Sequence, residues 1–586
     1  MKHKPPAPAP AWTAAAAGWL LLAGCVVGTD YEPPVIDAPL TFGGAEGELG
    51  TRDARYHLQR WWEAFGDPVL AQLVGEAAAG NLDLAEAAAR VLESRYDRAA
   101  ASGELLPRLD LSADYARQRE SGNLNDNLGG GFASIPLEDD LWRVGSEVSW
   151  EIDVFGRLRR AVEAADADFG ASVEDYRSVF VALCGDVGLS YVSVREFEER
   201  VDVALANEQI QRRALELARV RFDTGLASNL ELAEAETSLR QTLATLPTLR
   251  AQLRAEKNRL AVLTGRAPGA VDELLAGTLP PVGGQGVPDA EQSQPTPAPG
   301  AAPETASSGG PVTLVSGGAP GSAGPGSGGT GSGQAAYTPP RRVPEPPERV
   351  LVGVPAELLR RRPDLRRGER ELAAAAARVG VAQADLYPRF SLVGNFGFSA
   401  SDGGNLLEWD SRVFGIGPSV SWPVFQGGRL RSLVGSALAR RNQALIAYER
   451  AVLLAYEEVA NAMTDFARQR ERHAELLRAE ASAGDAVRTS ETQYVDGLVD
   501  FNRVIDAQRT LFTVQDDRAR SAGARTRALV RLYRALGGGW PVPDAAPGLP
   551  EPPPDRPAPD FSFLGARDAG TPIPGRERAY PQERAR

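Results

Sequence analysis

Cysteine and histidine are almost missing from this chain, with two and three copies in 586 residues. So few thiols exclude a disulfide framework, and stability has to come from packing. No C-x-x-C, HExxH, P-loop or G-x-S-x-G pattern occurs either, so metal and nucleophile chemistry have no constellation to stand on. Neither an enzymatic role nor a bound cofactor is expected. His57 and His473 read as solvated or packing side chains, and Cys184, in "VALCGDVG", as a buried small residue on a helix. A basic excess is missing too: 64 Lys and Arg face 77 Asp and Glu, a formal net charge of −13. With no basic block, this argues against nucleic acid as a partner.

What is present begins at the N-terminus. Lys2 and Lys4 precede a charge-free run from Ala11 to Gly24, the layout of a secretory signal. The run is shorter than the ~20 residues a helix needs to cross a bilayer. Leu22-Ala23-Gly24-Cys25 then resembles the bacterial lipobox, with a membrane anchor or a chance match as the alternatives. The resemblance implies that 1–24 is removed and that Cys25 becomes the first mature residue, carrying a covalent diacylglycerol and an N-acyl lipid. Val26 is not the aspartate that retains many lipoproteins in the inner membrane, which implies outer-membrane lipid as the destination. Residues 25–66 are then a lipid-anchored N-terminal segment.

The rest of the chain is a duplication. "SWEIDVFGRLR" from Ser149 and "SWPVFQGGRLR" from Ser421 lie 272 residues apart. The same offset superposes "FDTGLASNLELAEAETSL" from Phe222 on "YVDGLVDFNRVIDAQRTL" from Tyr494. Upstream the offset is 281, since Asp83-Leu84 answers Asp364-Leu365 and Pro107-Arg108 answers Pro388-Arg389. The difference falls in "ESGNLNDNLGGGFASIPLEDD", a turn-rich loop of the first repeat. Between the repeats, 281–347 is Gly, Pro, Ser and Ala, too poor in large apolar residues to fold, as is the Pro-rich tail 541–586.

Repeat 1 therefore spans 67–280 and repeat 2 spans 348–540. Each is expected to open with a helix; in the first, Asp67-Pro68 supplies a cap and a preset first turn. Period-two alternation predicts strands at about 107–119 and 143–155, then 388–400 and 413–425. Apolar and acidic residues alternate there, as suits either a membrane barrel with a wet interior or a half-buried hairpin. Four strands cannot close a barrel around water, since even filled barrels need about eight, so several copies would have to contribute. From Arg157 to Asp223 and from Arg429 to Val495 no proline interrupts the chain, which predicts helices about 100 Å long. Leu445, Tyr448, Val452, Tyr456, Val459, Met463 and Phe466 step as a coiled-coil seam. Helical hairpins are expected over 157–264, with a kink at Pro247, and over 429–537.

In combination, "CVVGTDYEPP", "WWEAFGDPVLAQLV", "WEIDVFGRLRRA", "LLRRRPDLRRGERELAAAAARVGVAQADLYPRFSL", "GPSVSWPVFQGGRLR" and both hairpin segments resemble the TolC family, in its OprM/NodT branch of efflux lipoproteins. The resemblance implies an α+β membrane protein: a homotrimer whose protomers give four strands each to a twelve-stranded β-barrel, continued by an α-helical coiled-coil tunnel across the periplasm. It implies a passive, gated exit duct for drugs or other small molecules in a tripartite pump. Its partners would be a periplasmic adaptor and an inner-membrane transporter of the RND type.

By the same resemblance, Gly225, Leu226, Ser228, Gly497, Leu498 and Val499 form tips that meet the adaptor, or else plain hairpin turns. Asp506 falls on the family's inner aspartate, and Asn502 shares its helix face, which makes the two a periplasmic gate. Arg503 stands where TolC itself is acidic and Val499 where it is basic, so TolC's full ionic network is not carried over. Asp506 could instead be an ordinary partner of Arg503 or Arg509. Rival readings are the duct of a type I protein secretion system and a non-channel coiled-coil envelope lipoprotein.

Overall fold

The computed structural model describes residues 26–34, 49–50, 58–119, 138–276, 342–347, 350–351 and 361–540. The signal segment, Cys25, His57, residues 281–341 of the linker and the tail 541–586 lie outside them. Residues 342–347, expected in the unfolded linker, instead pack on the helices: Val343 is buried with Val192 and Ala522, and the Pro344 carbonyl accepts from the Thr526 hydroxyl at 2.9 Å.

Repeat 1 opens with two helices rather than the expected one. In α1 (Pro68–Gly80) the Asp67 carboxylate accepts the Val69 N–H, and Leu70, Leu73, Val74 and Ala77 are buried. Asn81 breaks the run because its side chain accepts the Leu84 N–H, capping α2 (Leu82–Gly103), while its amide donates to the Leu263 carbonyl at 3.0 Å. There follow β1 (Arg108–Arg119), β2 (Glu138–Ile152), α3 (Arg157–Asp223) and α4 (Asn229–Leu263). Repeat 2 supplies α5 (Pro363–Ala384), β3 (Arg389–Ala400), β4 (Arg412–Ser421), α6 (Arg429–Val495) and α7 (Phe501–Ala535).

The duplication is visible in lengths: α3 and α6 have 67 residues each, and α4 and α7 have 35 each. At ~1.5 Å per residue the long pair reaches about 100 Å. On α6, Tyr448, Val452, Val459, Met463 and Phe466 of the seam are buried. Pro247 lies inside α4 without ending it.

Three strand boundaries differ from expectation. β2 starts at Glu138, taking "EDD" out of the loop, because Arg117 and Arg119 across the ladder pair with Glu138 at 3.2 and 3.1 Å. It ends at Ile152 because the Asp153 carboxylate accepts the Arg159 N–H at 2.9 Å and turns the chain into α3. β4 stops at Ser421, two residues before Pro423, which has no N–H for the ladder.

The four strands form one antiparallel sheet in the order β1-β2-β3-β4, so β2 against β3 joins the repeats. Its register places Leu111, Ser146, Phe396 and Phe414 side by side on one face. Asp110, Glu147, Asn395 and Gly415 share the other. The outer edges of β1 and β4 have no partner strand among the described residues.

Far from the sheet's outer end, α1, α3, α4, α6 and α7 enclose the main core, where Trp61 stacks on Tyr533 at 5.7 Å. Cys184 is buried there, and burial pushes its thiol up to about 12, which leaves it unreactive. His473, buried on α6, faces Arg525 and Arg518 of α7, Glu199 of α3 and Glu345. Burial, then the two guanidinium groups, hold it below the ordinary 6.5. Its contribution to stability is complete above that value and is lost as pH falls through the depressed folded value. The melting temperature should therefore fall more between pH about 7.5 and about 5.5 for the natural chain than for His473→Gln. Equal falls would clear His473.

Candidate functional site

Both hairpin ends are closed by the same device. Gly225 and Gly497 have φ of 74° and 75°, which a side chain would resist. The Leu226 N–H donates to the Arg221 carbonyl at 2.7 Å and the Gly225 N–H to Phe222 at 2.9 Å; Leu498 to Gln493 at 2.8 Å and Gly497 to Tyr494 at 3.0 Å repeat the pattern. These are Schellman turns. Ser228 then caps α4 in a capping box with Glu231, and the Asp500 carboxylate accepts the Arg503 N–H to cap α7. With the backbone satisfied, Leu226 and Leu498 stand 70% and 73% exposed. Gly225, Ser228 and Gly497 are exposed as well, whereas Val499 is half-buried against Tyr494, Phe501 and Val504.

One turn beyond, Asn502 and Asp506 lie on the exposed side of α7, opposite the buried Phe501, Val504, Ile505 and Gln508. Neither Arg503 nor Arg509 forms an ion pair with Asp506 among the described residues. With its amide assigned from the hydrogen-bond network, Asn502 donates to Glu234 Oε2 at 2.6 Å, linking α7 to α4.

Three residues to which the sequence assigned no role complete this end. The Tyr494 hydroxyl donates to Glu231 Oε2 at 3.1 Å. The Arg221 guanidinium lies 4.4 Å from the Tyr494 ring centre and donates to its carbonyl at 3.2 Å. Burial, with Glu231 accepting, raises the Tyr494 pKa and keeps the phenol a donor. One hairpin is thus tied to the other at the tip. The signal lay in the repeat itself: Tyr494 answers Phe222, so the hydroxyl is what the second copy adds. Beside the tie is a groove of about 350 Å³, with Ile210, Leu217, Val487, Val495, Phe501 and Val504 on its walls and Arg213 and Glu491 among its lining.

At the opposite end the sheet displays large apolar side chains: Leu111 is 82% exposed, Ile416 80% and Phe414 74%. Aromatic rings bracket this face. Tyr115 and Trp142 pair at 4.4 Å on one side. On the other, the Trp150 indole donates to Leu105 at 2.9 Å and the Trp422 indole to Leu386 at 3.1 Å. An apolar patch of this extent is not left to water. No cluster of three or more metal-ligating side chains occurs among the described residues.

Residues 73–266 and 354–538 match the family described as "Outer membrane efflux protein". The chain is 31% identical over 486 residues to the pyoverdine export outer membrane protein OpmQ of Pseudomonas putida, covering 82% of this chain and 88% of that one. It is 28% identical over 537 residues to nodulation protein T of Rhizobium leguminosarum bv. trifolii, covering 90% and 97%. Among solved structures, the outer-membrane channel OprN matches with a TM-score of 0.70 at 30% identity, over 88% of this chain and all of that one.

Proposed function

This chain belongs to the outer membrane efflux protein family and is an outer-membrane component of an efflux pump, and from that premise we propose how it forms a duct. Three copies each give β1–β4 to one twelve-stranded barrel, and their helical hairpins continue it as a tunnel across the periplasm. The carrying observation is an open four-stranded sheet with an exposed apolar face and two edges that have no partner strand among the described residues. Hydrocarbon offers backbone groups no partners, so such a sheet enters a membrane only when closed on its neighbours. The height suits: from Ile152 to Trp142 the strand runs about 34 Å, which a tilt of about 40° reduces to about 26 Å, close to the ~25 Å apolar band of such barrels.

The polar face then lines water, and lipid on Cys25 supplements the barrel's hold. At the far end the exposed Leu226 and Leu498 turns and the adjoining groove receive the adaptor hairpin. The Tyr494–Glu231 and Asn502–Glu234 bonds hold the two hairpins of each protomer together, and three Asp506 carboxylates meet near the threefold axis. Docking of the adaptor releases the ties. The relative named for pyoverdine export favours a small-molecule cargo over a protein one; an adaptor and an RND-type inner-membrane transporter complete the proposed pump. Purified chain in planar bilayers should give stepwise conductance and cross-link to trimers. A protein that never forms pores, even as Tyr494→Phe, would sink the duct.

A further inference from the structure

The segment Val26–Pro34 is held where the sheet passes into the long helix. The Val27 N–H donates to the Phe155 carbonyl at 3.0 Å, between the end of β2 and the start of α3. Arg160, in the first turn of α3 with its side chain 4% exposed, turns its guanidinium onto the same stretch. Its Nε donates to the Val27 carbonyl at 3.4 Å. Its Nη2 donates to the Gly28 carbonyl at 3.2 Å and to Asp30 Oδ1 at 2.8 Å. Nη1 is held by Glu163 Oε2 at 2.6 Å, so the fork is oriented from its own helix.

Three glycines make room for the contact. A Cβ on Gly156 would lie 2.8 Å from Val26 Cγ1, and one on Gly28 would lie 3.0 Å from Gly380 Cα. A Cβ on Gly380 would lie 3.0 Å from Arg160 Cγ and Cδ. Tyr31 then packs into the cluster of Leu365, Leu372, Tyr448 and Val452 between α5 and α6. Val26, Val27, Gly28, Asp30 and Tyr31 thus touch the strand-to-helix junction of repeat 1 and two helices of repeat 2.

We propose that Val26–Tyr31 is a preformed clasp, with Arg160 as its positioning residue, that fixes the mature N-terminus at the base of the sheet. It rests on the barrel and on acylation of Cys25 proposed above. A free nine-residue tether would let its end wander over about 15–18 Å. The clasp removes that freedom, so a lipid attached ahead of Val26 enters the membrane beside the barrel it anchors, with the ordering cost met by the fold. Phe155, which accepts from Val27, packs on Tyr387 at 4.8 Å, placing the clasp beside aromatic side chains of the kind that mark a membrane interface.

The test is hydrogen exchange on the purified full chain in detergent, read on the peptide 26–34, with mass spectrometry of the lipid. Arg160→Gln should speed exchange there about tenfold or more. Gly28→Val should do the same without touching α3, and Arg160→Lys, which lacks the planar fork, should fall between. Acylation should be unchanged in all three. Exchange equal to that of the natural chain in both Arg160→Gln and Gly28→Val overturns the clasp, whatever the conductance. A protected segment in a chain that forms no pore sinks the barrel reading and the placement built on it.

Discussion

Phe396→Arg is expected to remove the protein from the outer membrane as an assembled species. Phe396 pairs with Ser146 and Phe414 near the middle of the apolar face, about midway between the aromatic residues that bracket it. A guanidinium at the bilayer midplane costs about 2–4 kcal/mol on the lipid side of a barrel. The proposed trimeric barrel would carry three of them, a penalty of about 6–12 kcal/mol, comparable with the whole stability of an ordinary domain. Heat-stable trimers in the outer-membrane fraction should disappear. Asn395→Arg, one residue away on the polar face, should leave them in place, because a side chain in a wet lumen keeps its hydration. Equal loss in both variants, or in neither, would mean that the two faces do not divide lipid from water.

That pair of variants depends on register, and register was legible in the sequence only in part. The period-two runs located all four strands, and the offset of 272 foretold the matching helices of 67 and of 35 residues. The start of β2 was not legible, because it is set by partners on a neighbouring strand. Glu138 joins β2 through Arg117 and Arg119 on β1. The break at Asn81 has a local cause, its cap on Leu84, but the bond from its amide to Leu263, 182 residues on, is in no local pattern.

At the hairpin ends the glycines announced the turns, since a left-handed φ needs them. Val499 was grouped with the exposed tip, yet it turns inward onto Tyr494 and Phe501. The bond from Tyr494 to Glu231 spans 263 residues between hairpins, and no local pattern encodes it. Period and turn chemistry are local and survive in sequence; pairing across hairpins is not local.

The cross-hairpin bond also makes the strongest prediction about gating: Tyr494→Phe should raise single-channel conductance, or the fraction of time spent open, in planar bilayers. The substitution deletes the hydroxyl that Glu231 accepts but keeps the ring beneath Arg221, so the local packing survives. A hydrogen bond to a charged group contributes about 1.5–3 kcal/mol. Three copies opening together would lose about 4.5–9 kcal/mol of closed-state preference, at least about a thousandfold in the closed-to-open ratio.

Asp506→Ala should act differently. Its carboxylate is exposed and unpaired with Arg503 or Arg509, so its removal leaves the tie between hairpins intact. What changes in the proposed trimer is the charge near its axis: cation preference, read as the reversal potential across a salt gradient, should fall while the open fraction stays low. A Tyr494→Phe channel that conducts like the natural one, beside an Asp506→Ala channel that opens wide, would move the gate from the bond between hairpins to the ring of carboxylates.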